Sequence, residues 1–189
     1  DAPAAYVLDG PASYVLDGDE LGTLLVLACD GGREAGSDGG VALYEVDGAA
    51  AGVSRRDAEA LDPLRRLATV TLSAAAGTRL GTVPAEVLQR ARSEAIVVLA
   101  AEQTGAAERG LERTVEYTLQ RRQFGRPIGS FQAVKHRLAD AFVRLETARS
   151  ACRAAVESAA GGSDPEREDA AVAKVVCSES LQHIAAEMI

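Results

Sequence analysis

The chain has 189 residues, with 20 basic and 28 acidic side chains and a formal net charge of −8. At 47% apolar and 25% charged, it has the composition of a folded protein rather than a disordered one, and length for one medium domain or two small ones. No apolar run reaches membrane-spanning length, and the acidic balance disfavours nucleic acid.

The three cysteines (Cys29, Cys152, Cys177) and two histidines (His136, His183) show no metal-ligand spacing. Free thiols and an opening that lacks a secretory pattern set the expectation of a cytoplasmic protein.

Residues 1–83 carry a net charge of −7 and read as strands. Tyr6-Val-Leu and Tyr14-Val-Leu are short β-prone runs, each followed by Asp-Gly, a strong turn signal, and they read as successive strands of a meander. Leu24–Ala28 and Val41–Val46 follow, separated by a Gly/Asp/Ser-rich loop from Asp30 to Gly40. Val53–Arg55 and Ala68–Leu72 complete a predicted antiparallel sheet or small barrel. Asp62-Pro63-Leu64-Arg65-Arg66 reads as a charged turn, with substrate binding as the alternative.

After Gly81 the grain becomes helical. Thr82 is a candidate N-cap with Pro84 in the first turn, and no strong breaker follows until Gln120. Gly105 and Gly110 inside this helix are candidate points of close approach. The turn Gly125–Gly129 and a cap at Ser130 introduce a second helix, whose seam is Val134, Leu138, Ala141, Leu145, Ala148, Cys152 and Ala155. Gly161-Gly162 stops it. Asp164 and Pro165 start a third, striped by Ala170, Ala173, Cys177, Leu181, Ile184 and Met188.

The expected fold is α+β: an antiparallel β domain over residues 1–81, then an antiparallel helical bundle over residues 82–189. That bundle reads as an incomplete four-helix arrangement, because the third stripe is still running at Ile189. An exposed apolar face follows from three helices without a fourth.

The segment Arg121–Asp140 departs from the acidic background. Arg121, Arg122, Arg126, Lys135 and Arg137 occur between Gln120 and Ala139 without one acid. Fixed cations where one helix ends and another begins, with free backbone N–H groups close by, make a site for an anion such as a diphosphate.

The order Arg121-Arg-Gln-Phe124-Gly125, then Gln132-Ala-Val-Lys-His136, resembles the flavin-contacting helix–turn–helix of acyl-CoA dehydrogenases. The chain is similar to the later part of that family's middle β domain plus the first helices of its C-terminal bundle, so it reads as a fragment. The resemblance implies α,β-dehydrogenation of an acyl-CoA thioester to the trans-2-enoyl-CoA, with flavin adenine dinucleotide (FAD) as hydride acceptor. It further implies identical or homologous subunits, as dimer or tetramer, that share the FAD site, and electron-transfer flavoprotein as a redox partner. Two alternatives keep the fold: a non-catalytic, FAD-bridging subunit of a heteromeric enzyme, or a flavin oxidase or monooxygenase.

By the same resemblance, Arg121 is the candidate for the FAD diphosphate and Gln123 for diphosphate or ribose. Phe124 is the candidate for the adenosine end, and Gln132 for flavin or adenine. Arg122, Arg126, Lys135, His136, Arg137 and Asp140 read as solvated or structural, the last four as a network with the preceding helix.

No catalytic and no metal-binding residue is expected in this chain. The family's usual glutamate base and its Gln-x-x-Gly-Gly segment would lie beyond Ile189. The alternative base position on the first bundle helix falls on Ala95, with Glu94 and Ile96 beside it.

Overall fold

The structure is a computed structural model that describes residues 5–20, 22–29, 40–60, 62, 64–161 and 168–188. It divides into two compact units, Asp1–Leu88 and Gln89–Ile189.

The first unit is a curled, all-antiparallel sheet of β1 (Ala5–Leu16), β2 (Thr23–Cys29), β3 (Val41–Asp47), β4 (Val53–Asp57) and β5 (Leu67–Thr82). The strand order is β1-β5-β3-β2, with β4 also paired to β5. β5 organises the sheet. Its first part, from Ala68 to Leu72, lies between β1 and β4, while Thr78–Thr82 pairs with β3. One strand with different neighbours along its length forces the sheet to curl.

Period-two burial is clearest on β3, where Ala42, Tyr44 and Val46 point inward. They pack with Leu8, Leu24, Val70, Leu72 and Ala75, and the Tyr6 ring meets the edge of Tyr44 at 5.4 Å.

Tyr6-Val-Leu and Tyr14-Val-Leu do not form two strands. Both belong to β1, and the expected turn at Asp9-Gly10 is a bulge between Leu8 and Gly10 in the ladder with β5. The Asp9 carboxylate accepts the Ala74 N–H at 2.7 Å, satisfying a donor that the bulge frees. Gly52 is fixed by close approach: at φ 88, a Cβ there would lie 2.2 Å from the Ser73 carbonyl oxygen. The expected loop at Asp30–Gly40 lies, save for Gly40, outside the described residues.

A cavity of 910 Å³ opens on one face of this sheet, lined by Leu8, Leu24, Val26, Tyr44, Leu72 and Arg79 among others.

The second unit is built on α1 (Ala85–Gln120), α2 (Gln132–Gly161) and α3 (Glu168–Glu187), which run antiparallel in turn. Two layers of core hold them. One combines Val97 and Ala100 with Ala148, Cys152, Ala155, Ala170, Ala173 and Cys177. The other combines Ala107, Leu111, Ala141, Leu145 and Ile184. Alanine dominates the first layer, so the helices approach closely there and small volume changes are felt, while leucine and isoleucine fill most of the second.

Thr104 is buried, but its hydroxyl donates to the Ala100 carbonyl at 2.8 Å, so the layer carries no orphaned donor there. Burial, partly offset by the Thr104 hydroxyl, pushes the Cys177 thiol above its ordinary value.

Helix boundaries differ from the sequence reading. Thr82 does not cap α1, because β5 holds it in the sheet; the helix starts at Ala85, with the Pro84 carbonyl accepting the first helical N–H groups. Ser130 does not cap α2: its hydroxyl donates back to the Pro127 carbonyl at 2.7 Å, and the helix begins two residues later. Gly110 does lie at a close approach, where a Cβ would meet Met188 Sδ at 2.6 Å, whereas Gly105 faces open space. The stop at Gly162 and the start at Asp164-Pro165 lie outside the described residues.

Candidate functional site

The connection between α1 and α2 is a folded elbow. Arg121 leaves the helix with its N–H still bonded to the Tyr117 carbonyl at 2.8 Å. β6 (Arg122–Gln123) and β7 (Arg126–Pro127) then form a miniature hairpin, with Arg122 opposite Pro127 and Gln123 opposite Arg126. Its turn is Phe124-Gly125, at φ 51 and 77. Two successive positive φ values are the signature of a primed hairpin turn.

The hairpin returns through the Ile128 N–H, which donates to the Arg121 carbonyl at 2.8 Å, into a 3-10 turn at Ile128–Ser130. Backbone hydrogen bonds therefore fix this elbow at both ends.

Its side chains face outward. Arg121, Arg122, Gln123, Phe124, Arg126 and Gln132 are all exposed. Among the described residues, no carboxylate pairs with Arg121, Arg122 or Arg126. Elsewhere on the same unit, Arg137 and Arg149 do take acidic partners. Arg122 reaches only the Gly125 carbonyl, at 3.4 Å.

Arg126 lies over the Phe131 ring at 4.1 Å, and Phe131 meets Phe124 edge-on at 6.1 Å. Gln132 contacts His136 through their terminal nitrogens at 3.3 Å.

Arg121, Gln123 and Phe124 thus lie on one short connection, and Gln132 opens α2 directly after it. Arg126 was read as one of the local cations, but its stack on Phe131 was missed. The signal was available in the sequence, as an arginine five residues before an aromatic across a tight Pro-Ile-Gly-Ser turn.

The expected network of Lys135–Asp140 with α1 is not formed by Arg137. It pairs instead with Glu187 of α3 at 3.1 Å, because α2 and α3 are adjacent antiparallel neighbours.

Phe124 combines two features, which Tyr14 shares at φ 59 and 76% exposure. It is 92% exposed, and a bulky side chain in the left-handed region is strained. A hairpin chosen for its own stability would carry Asn-Gly here.

The other charged loop is already committed. Arg66 Nη1 lies 2.7 Å from Glu20 and 3.2 Å from Asp19, and its hydrogen bond and charge hold the Glu20 carboxyl below the usual range. Glu94 is exposed and paired with Arg90 at 2.8 Å. Ala95 beside it offers no acid, so α1 presents no desolvated base at this level. Among the described residues, no cluster of His, Cys, Asp and Glu is arranged to hold a metal ion.

Exposed guanidinium groups that, among the described residues, lack a carboxylate partner are groups that can bind phosphate oxygens. The family model for the acyl-CoA dehydrogenase C-terminal domain matches residues 85–189, from the first residue of α1 through the elbow to the last helix.

The chain belongs to the acyl-CoA dehydrogenase family.

It is 50% identical over 95 residues to the acyl-CoA dehydrogenase IpdE2 of Mycobacterium tuberculosis, a match covering 50% of this chain and 28% of that one. The solved Tcur3481-Tcur3483 steroid ACAD variant superposes with a TM-score of 0.81 at 32% identity, over 100% of this chain and 48% of its own. The ChsE4-ChsE5 complex of Mycobacterium tuberculosis gives 0.82 at 29%, over 100% and 50%. This acyl-CoA dehydrogenase chain therefore spans about half the length of the solved relatives it matches. Among its described residues, no helix is long and apolar enough to cross a membrane.

Proposed function

We propose that the chain is part of a flavin-dependent enzyme that carries out α,β-dehydrogenation of an acyl-CoA thioester to the trans-2-enoyl-CoA. The observation that carries this reading is the exposed Arg121, which lacks a carboxylate partner among the described residues, at the foot of a backbone-fixed hairpin. When bound, FAD accepts the hydride.

The residues of this chain do the holding. Arg121 would hold the diphosphate of the cofactor, Gln123 the diphosphate or ribose, Phe124 the adenosine end and Gln132 the flavin or adenine. Arg126, braced on Phe131, adds positive potential without needing direct contact.

The catalytic acid–base group comes from outside these residues, since Glu94 is solvated and paired. The partners are the acyl-CoA substrate, identical or homologous subunits (as a dimer or tetramer) that share the FAD site, and electron-transfer flavoprotein. The relative described as a steroid ACAD favours a steroid-derived acyl group over medium, branched or aromatic ones. Three free thiols accord with a cytoplasmic location.

A second reading, a non-catalytic subunit that bridges FAD in a heteromeric enzyme, draws support from the paired names of two solved relatives. Assaying the full-length protein alone and with a co-expressed homologous subunit separates the two. Turnover by the protein alone excludes the second.

The test of the site is Arg121→Gln in the full-length protein. Loss of a charge-assisted contact to phosphate should raise the FAD dissociation constant by about tenfold to a hundredfold, with helical circular dichroism unchanged. Unaltered flavin affinity would remove the proposed role.

A further inference from the structure

We infer that Gly129 and Thr118 form a seat that sets the position of the cationic hairpin, making Gly129 a positioning residue for the site; this rests on the flavin reading above. Gly129 is in the 3-10 turn after β7, and its φ is not in the left-handed region, so its backbone conformation does not demand glycine. Space does. A Cβ on Gly129 would lie 3.0 Å from Thr118 Oγ1, 3.1 Å from the Thr118 carbonyl oxygen and 3.3 Å from Thr118 Cβ. All three atoms belong to one residue in the last turn of α1.

Thr118 is itself fixed. It is 5% exposed, and its hydroxyl donates to the Val115 carbonyl at 2.8 Å, so the side chain cannot swing aside without losing that bond. The 3-10 turn therefore rests flush on the helix end.

The Ile128 N–H to Arg121 carbonyl bond holds one point, and the Gly129–Thr118 seat holds a second. Two points fix the pitch of a lever whose outer end carries Arg122, Phe124 and Arg126. A displacement of a few tenths of an ångström at the seat is amplified at the tip, where groups must meet phosphate oxygens and a ring at defined distances.

The test uses the full-length protein and FAD as the probe, followed by quenching of flavin fluorescence, with the melting temperature of the flavin-free protein measured in parallel. Gly129→Ala should weaken FAD binding by about threefold to tenfold. Thr118→Ala alone should leave it within about twofold, and adding Thr118→Ala to Gly129→Ala should recover part of the loss by clearing Oγ1 from the seat. Recovery of affinity is a readout that a merely structural glycine would not give.

If Gly129→Ala lowers only the melting temperature and leaves FAD affinity intact, while Arg121→Gln weakens it, the seat has no positioning role and the flavin reading stands. If Arg121→Gln also leaves affinity intact, the flavin reading itself falls and takes this inference with it. Should Gly129→Ala fail to fold, the double variant decides: affinity better than that of Arg121→Gln supports the seat, and affinity no better overturns it.

Discussion

At the scale of single residues, Phe124 carries the clearest conflict between folding and binding. Its left-handed backbone costs about 1 kcal/mol for a non-glycine residue, whereas its edge contact with Phe131 at 6.1 Å returns about 0.5 kcal/mol on a ring that is 92% exposed. Phe124→Asn, which supplies the residue a primed turn prefers, should therefore raise the stability of the flavin-free protein by about 0.5 kcal/mol in urea titrations. The same change should weaken FAD retention several-fold. A variant that is more stable and binds FAD normally would show that Phe124 serves neither ligand nor fold; a less stable one would show that the ring contact outweighs the strain.

At the scale of elements, how much could be read from the sequence depended on how each residue's role is encoded. The α2 seam was legible because period 3.6 places Ala141, Leu145, Ala148, Cys152 and Ala155 on one line, and all five are buried. β5 was read too short. Its Ala74-Ala75-Ala76-Gly77 stretch lacks β-branched residues, yet small side chains are what the sheet requires there, since a Cβ on Gly77 would lie 2.7 Å from Leu8 Cδ1. β1 was split because Asp-Gly marks a turn locally, and only a partner strand reveals a bulge. In the elbow, the motif residues were legible, whereas the Arg126–Phe131 stack depends on a turn geometry that residue order does not display.

The same seam gives the element-scale prediction. Leu145 is 3% exposed in a layer it shares with Ala107, Leu111, Ala141 and Ile184. Leu145→Ala should cost about 2 to 5 kcal/mol of helical-unit stability by leaving a cavity. Thermal melts of the helical signal should show it, and a loss below about 1 kcal/mol would mean that α1 and α3 collapse onto the vacated space.

At the scale of the whole chain, the charge and apolar surfaces act in opposite directions. A net charge of −8 keeps copies apart at low salt, and most of it resides in residues 1–83, while the helical half is nearly neutral. That half also exposes Val98, Leu119, Phe142, Val143, Val172 and Val175, each more than half accessible. Burying apolar surface contributes about 25 cal/mol per Å², so a few such side chains on each partner outweigh a repulsion that physiological salt screens beyond about 8 Å. The 189-residue chain on its own should therefore associate as salt rises, sedimenting heavier than its 19.6 kDa at 0.15 M salt and closer to it at 0.01 M. Val143→Glu with Val175→Glu should restore the monomer at both salts without altering the helical signal, because neither side chain belongs to the buried seams. Sedimentation that is monomeric throughout would mean these valines are scattered surface residues with no adhesive face. Association that persists in the double variant would move the sticky surface to the β unit, where Val7, Tyr14, Leu25 and Leu27 are also exposed.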